Sequence, residues 1–271
     1  MALPEVPALV QAAVRSLIAA GLVLIWSRWR GIALFSRDGS LPAGLLAGLL
    51  FAAEFACIFI GLQHTSASRM VVFIYLSPFI IALGMPFIAV NERLSPLQIA
   101  GLVGAFAGVA WAFAGGFSEP SAGPRQAFGD ALGMLAAVLW GATTLVIRGS
   151  RLNVASAEKT LFYQLAISGL ALAAAAAFSG VHWPPVLSAI GWMSVVFQGV
   201  IVSFGSYLVW FWLIRHYPAT RLASFSLLTP IFGLLMGAVL LHEPITLRLL
   251  VALTTVAAGI FVVNRPTLKR G

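Results

Sequence analysis

Ala67-Ser68-Arg69-Met70-Val71-Val72-Phe73-Ile74-Tyr75-Leu76-Ser77-Pro78 is answered later in the chain by Ala219-Thr220-Arg221-Leu222-Ala223-Ser224-Phe225-Ser226-Leu227-Leu228-Thr229-Pro230. Both stretches open on alanine, a hydroxyl residue and arginine, hold phenylalanine at the same place, and close on a hydroxyl residue and proline. Both also lie inside apolar runs long enough to cross a bilayer. The register continues outward in both directions. Phe59 and His64 answer Phe211 and His216. Downstream, Glu92 and Ser95 answer Glu243 and Thr246 after a one-residue slip, and Ala107-Gly108-Val109 answers Ala258-Gly259-Ile260. A duplicated membrane unit with a proline inside the same helix of each copy is the pattern of secondary-transporter architecture.

Composition requires lipid as solvent. The chain is 61% hydrophobic and 9% charged, with a mean hydropathy of +1.00, more apolar surface than a soluble domain of this length can hide. The net charge of +8 does not point to nucleic acid, because the basic residues stand at the ends of apolar runs and form no stripe interleaved with aromatics. Cys57 is the single cysteine and lies within a run, which excludes an intrachain disulfide and a thiolate metal cluster. No cleavable signal peptide is recognisable at Met1-Ala2-Leu3-Pro4-Glu5.

Apolar runs fall near 9–27, 41–62, 68–90, 96–115, 129–148, 158–179, 187–214, 219–241 and 246–264. Backbone donors cannot stay unpaired in lipid, so each run is read as helix. The fold class is therefore an all-α polytopic membrane protein with nine visible spans. Ser95-Pro96 and Thr246 read as helix starts. Placing the loops after odd-numbered spans in the cytoplasm puts twelve lysines and arginines inside, with only Arg69, Arg125 and Arg248 outside and Arg15 within the first span. The C-terminus is then cytoplasmic. Matched helices are five spans apart, so they cross in opposite directions and the copies form an inverted repeat.

The two copies differ in helix number. Leu152-Asn153 through Gly169 aligns with Leu3-Pro4 through Ala20, and the run 129–148 has no counterpart in the first copy. The expected organisation is a first repeat over 1–116 with four spans, a loop over 117–128, and a second repeat over 129–271 with five. The Trp140-Gly141 opening, the Ala-Ser/Thr-Arg entry, the Ser/Thr-Pro kink and the closing glutamate make the chain resemble an EamA-type member of the drug/metabolite transporter superfamily. That resemblance implies ten helices in two inverted five-helix halves, here with the first helix shortened away. It also implies export of small amphipathic metabolites such as amino acids, and residence in a cell inner membrane.

Several residues are candidates for function. Pro78 and Pro230 each remove a helical hydrogen bond and clash with the carbonyl of Ile74 or Ser226, at a cost of about 3 kcal/mol unless compensated. They read either as a pair of hinged helices flanking a solute, with Ser77, Ser226 and Thr229 beside them, or as inherited kinks that shape packing. Glu54 lies deep in the second span, at least ~2.5 kcal/mol unfavourable there as a charge. It binds a solute ammonium, exchanges a proton, or stays protonated as a neutral hydrogen bond between helices. Its counterpart is Ser206. Tyr75, Trp140, Tyr163, Gln164, Gln198, Tyr207 and Phe225 gather on the same helices; together they suit a cavity for an amphipathic solute, and singly each also fits a packed core. Trp26, Trp29, Trp192, Trp210 and Trp212 read as interfacial belt.

Arg69 with Glu243, and Arg221 with Glu92, are placed by the repeat at opposite faces. They act as alternating gate latches, or else the arginines reach headgroups while the glutamates cap local helices. No histidine pair has metal-ligand spacing, and no nucleophile elbow, phosphate loop or carboxylate pair appears. No cofactor, metal or nucleic acid is therefore expected; the partners are the lipid bilayer, a small-molecule solute and, through Glu54, a proton. Two other readings are an integral-membrane enzyme or lipid-handling protein, and an incomplete bundle that needs a partner helix.

A reporter fused after Gly271 is expected in the cytoplasm and one inserted in the 117–128 loop outside. Both reporters on the same side of the membrane would refute the inverted repeat.

Overall fold

The computed structural model describes residues 6–118, 123–180, 187–240 and 246–265, helical wherever regular and without a strand among them. The helices are α1 Ala8–Trp29, α2 Leu41–Gly61, α3 Ala67–Ile74, α4 Ser77–Gly84, α5 Pro96–Ala112, α6 Gly115–Ser118, α7 Gln126–Arg148, α8 Ala157–Phe178, α9 Ala189–Phe197, α10 Tyr207–His216, α11 Ala219–Ser226, α12 Leu228–Leu240 and α13 Leu247–Val263. A π-helical stretch, Gln198–Ser206, joins α9 to α10. Seven helical stretches among the described residues are long and apolar enough to cross a membrane, with α3–α4, α9–α10 and α11–α12 each counted as one; α5 and α13 are shorter apolar helices. These nine lie within a few residues of the nine apolar runs.

The helix ends explain the boundaries. Ser95 and Gln98 form a reciprocal cap at the start of α5: the Gln98 amide donates to Ser95 Oγ (3.3 Å) and the Ser95 amide to Gln98 Oε1 (2.9 Å). Thr246 Oγ1 accepts the Leu249 amide (3.2 Å) in the other copy. Ser66, Ser156 and Ser188 cap α3, α8 and α9 in the same way. Each hydroxyl satisfies a backbone donor that the first turn of a helix leaves open.

The chain forms two compact units. One comprises residues 1–59 and 142–216, the other 60–141 and 217–271. Each therefore draws segments from both sequence copies. In the first unit α1 packs along α8 and along the π-helical stretch. Glycines make this approach possible: Gly169 seats Leu17 and Gly199 seats Ile18, while Gly44 and Gly48 of α2 receive Tyr163 and Ile167. Ala12, Ala13, Ala52 and Leu172 close a core of small residues between α1, α2 and α8.

In the second unit α5 and α13, which are repeat counterparts, pack along each other, and α4 packs on α11. The core is Leu102, Ala105, Val109, Leu227, Ile231, Leu249, Ala252, Val256, Ile260 and Val263. A side chain at Gly101 would meet the Gly259 carbonyl, and one at Gly108 would meet the Ala252 carbonyl. Gly108 is the counterpart of Gly259 and Gly101 of Ala252, so the same contact is made twice with the copies exchanged. Gln98 Nε2 then donates to the carbonyls of Val263 (2.8 Å) and Arg265 (3.2 Å), satisfying acceptors at the end of α13.

Gly259→Ala is expected to destabilise the protein by about 1–3 kcal/mol, because its new methyl meets the Gly101 carbonyl and the backbone and side chain of Ala105. Gly104→Ala, which meets nothing within 4 Å, is expected to be neutral or mildly stabilising. Thermal unfolding of both variants in detergent checks the pair.

Candidate functional site

The duplicated prolines stand where two spans break. Helix α3 stops at Ile74, Tyr75 and Leu76 form the break, and α4 restarts at Ser77-Pro78; Leu227 is the break between α11 and α12. Pro78, Ser77 and Pro230 are buried, whereas Phe225 is 45% exposed. Ser226 Oγ donates back to the Ala223 carbonyl (2.7 Å), tightening the turn before the second break. Around the first break Tyr75 meets Trp140 edge-on, with ring centroids 6.0 Å apart. Gly141 next door leaves room for Ile80, so the Trp-Gly pair supplies one ring and one space. The contact of α4 with α11 brings the two broken helices together within the second unit. Thr229 lies exposed beyond the second break.

The remaining candidates belong to the first unit. Glu54 is buried, 6% exposed, and has Arg15 and Tyr207 within electrostatic reach. Tyr163 instead packs against Gly44, about 15 Å of helix from Glu54 along α2. Gln164 is buried, and its Oε1 has no hydrogen-bond partner among the described residues. Gln198 donates to Ser194 Oγ (3.3 Å) at the start of the π-helical stretch.

The residues proposed as latches have definite surroundings. Arg69 forms a forked pair with Asp130: Nε donates to Oδ1 (3.0 Å) and Nη2 to Oδ2. Thr65 Oγ1 donates to the same Oδ1 (2.6 Å), and the guanidinium lies 4.3 Å from the Phe117 ring centroid. Gly61 and Gly129 let the end of α2 and the start of α7 approach closely enough for these contacts. Glu243 falls outside the described residues. At the other pair, the buried Glu92 accepts the Thr220 amide through Oε2 (3.4 Å), and its backbone carbonyl accepts the Thr220 hydroxyl (3.4 Å). Glu92 thus places a carboxylate at the N-terminus of α11, where the helix dipole favours it.

A model of the EamA-like transporter family matches residues 1–114 and 127–265. The chain belongs to the EamA-like transporter family. A Bacillus subtilis (strain 168) protein named uncharacterized transporter YvbV is 29% identical over 269 residues, which cover 97% of this chain and 84% of that protein. A second protein of the same organism, uncharacterized transporter YoaV, is 21% identical over 74% of this chain and 68% of its own length. A solved crystal structure shares the fold at a TM-score of 0.82 and 21% identity, covering 97% of this chain and 90% of the other. This EamA-like protein is accordingly a multi-pass membrane protein of a transporter family.

Sequence reasoning passed over the acids that hold the loops of this transporter-family protein. Asp130 stands in the first turns of a span and Asp38 between two spans, and each finds a base. Lys159, 1% exposed, donates to Asp38 Oδ2 (2.7 Å), the Ser36 carbonyl (2.7 Å) and Ser36 Oγ (2.9 Å). Ser40 donates to Asp38 Oδ1 from its amide (3.0 Å) and its hydroxyl (2.6 Å). Gly39, at φ 74°, turns the chain between them. The α1–α2 loop is thereby clamped to the start of α8. The scarcity of acids, eight in 271 residues, was the available signal: in so apolar a chain, each acid near a span end needs a partner.

Lys159, and then Ser40, hold the Asp38 carboxyl well below the usual carboxylate range. A depressed carboxylate pKa stabilises the fold above the unfolded-state value, and the contribution is lost as pH falls towards the folded-state value. Asp38→Asn is therefore expected to lower the unfolding temperature by a constant amount between pH 6 and 8. The gap to wild type should narrow only below about pH 4. A gap that varies across pH 6–8 would contradict this assignment.

Proposed function

We propose that this protein is a secondary transporter that exports small amphipathic metabolites, amino acids or related compounds, by alternating access between its two inverted helix repeats. The observation that carries the reading is the pair of helices broken at repeat-related Ser/Thr-Pro positions, packed on one another through α4 and α11. A broken helix in lipid leaves backbone polar groups that only protein, water or solute can satisfy, and such breaks mark solute sites in inverted-repeat transporters. Tyr75, Ser77, Trp140, Phe225, Ser226 and Thr229 around the breaks supply flat apolar walls and hydroxyls. Glu54, with Tyr207, supplies the acidic group within a span and a route for a proton. The repeats are taken as 1–116 and 129–271, in an inner membrane with the C-terminus in the cytoplasm, as the distribution of basic residues supports.

Reconstitution into proteoliposomes with labelled L-phenylalanine tests the reading. Wild type should exchange the label across the membrane. Pro78→Ala and Pro230→Ala should each slow exchange by about tenfold or more while unfolding temperature changes little, because each proline stands in the first turn of its helix, where an amide donor has no intrahelical partner. Wild-type rates in both variants would reduce the prolines to packing features, and an absence of exchange by wild type would count against this solute class.

A further inference from the structure

Arg15 is a buried charged residue inside the first span. It stands seven residues into α1, and Glu54 seven residues before the end of α2. The two spans run in opposite directions, so both groups lie about 10 Å of helix from the same membrane face. Arg15 is 8% exposed and Glu54 6%. No ion pair joins them among the described residues, and Arg15 Nε and Glu54 Oε2 each lack a hydrogen-bond partner there. Gln11, one turn before Arg15 on the same helix face, is 4% exposed and its Oε1 is also unpartnered.

The surroundings are built for a charged group. The Arg15 guanidinium lies 4.2 Å from the Phe55 ring centroid. Phe55 stands edge-on to Phe51 (4.7 Å between centroids) and Phe51 to Tyr207 (5.9 Å). The Tyr207 phenol lies within electrostatic reach of the Arg15 guanidinium. Tyr207 follows directly on the π-helical stretch Gln198–Ser206, a local widening that frequently accompanies functional sites. The result is a guanidinium with one face on an aromatic ring, an Nε donor without a partner, and a buried carboxyl group on the next span.

We propose that Arg15 is a specificity-determining residue that binds the carboxylate of an amphipathic solute, while an N–H or O–H donor beside that carboxylate faces Glu54. The planar guanidinium matches a carboxylate through two parallel hydrogen bonds. Glu54 Oε2, which has no partner among the described residues, accepts from a donor, so the site favours a head that carries one acid and one donor. Phe51 and Phe55 cover the apolar remainder. The proposal rests on the transporter reading for its consequence, solute selection, but the binding site itself stands on the first unit alone.

Four probes of one size separate the contributions: L-phenylalanine and 3-phenyllactate carry acid and donor, 3-phenylpropionate carries the acid alone, and phenylalanine methyl ester carries the donor alone. Ligand-dependent unfolding of the full chain in detergent should show stabilisation by the first two, less by 3-phenylpropionate and none by the ester. Arg15→Gln should weaken the apparent affinity for phenylalanine by about ten- to a hundredfold, the range expected when a hydrogen bond to a charged group is lost. Arg15→Lys should retain part of it. Equal stabilisation by ester and acids, unchanged affinities in Arg15→Gln, or no response of wild type to any acid would each overturn the proposal; the first and third outcomes are read on wild type and need no variant to fold. Proteoliposome flux of the same four probes separates the two readings. Acids that bind but do not cross overturn transport and leave Arg15 assigned, whereas an ester that crosses while the acids neither bind nor cross keeps transport and removes Arg15.

Discussion

A hydrocarbon interior offers no hydrogen-bond partner to the backbone, and most of this structure follows from that constraint. Helices satisfy it along their length, so the chain is legible as a series of spans. The difficulty arises wherever a helix must start, stop or break. Starts are met by hydroxyl caps at Ser66, Ser95, Ser156, Ser188 and Thr246. The end of α13 is met from a distance by Gln98, which spends one side chain on its own helix start and on the carbonyls of a neighbouring helix. The two breaks at Ser/Thr-Pro interrupt a helix in the middle of a span, and they do so at the same place in both copies.

Ionic groups obey a related rule. A charge withdrawn from water is tolerated when its hydrogen-bonding capacity is filled. Lys159 fills its three donors with Ser36 and Asp38, and Arg69 is held by Asp130 under the Phe117 ring. Both clusters fasten a connecting segment to the start of a helix, and each is confined to one compact unit. Arg15 and Glu54 do not follow this pattern. They lie deeper, their side-chain atoms are incompletely satisfied, and they do not close on one another. The contrast separates charges that hold the fold from charges held by it.

What could be read in the sequence divides along the same line. Spans, caps and the two breaks were legible because they arise from local pattern: apolar length, a hydroxyl before a helix, a proline within one. The match of Gly108 with Gly259 was visible, but not that Gly101 would meet Gly259, since that depends on how two helices cross. Asp130 and Asp38 were hidden for a similar reason, as their partners are distant in sequence. Glu54 stood out as a lone acid in a span, whereas the relevance of Arg15 required knowing that α1 and α2 place the two at one depth. Tyr163, grouped with Glu54 on residue type, is packed into the glycine seat of α2 near Lys159.

The repeat gives a further reason to set Arg15 and Glu54 apart from the scaffold. By the alignment of the copies, Arg15 corresponds to Gln164 and Glu54 to Ser206, so each charged residue has a neutral polar counterpart. The scaffold is duplicated in its prolines, its glycine contacts and its caps. A solute with an acid at one end and an apolar body at the other has no such symmetry. A pseudosymmetric protein that binds it in one orientation must break its own symmetry at the residues that touch the polar head. An ionisable side chain in one copy and a neutral one in the other, at two buried positions of similar depth, is the form that such a break takes.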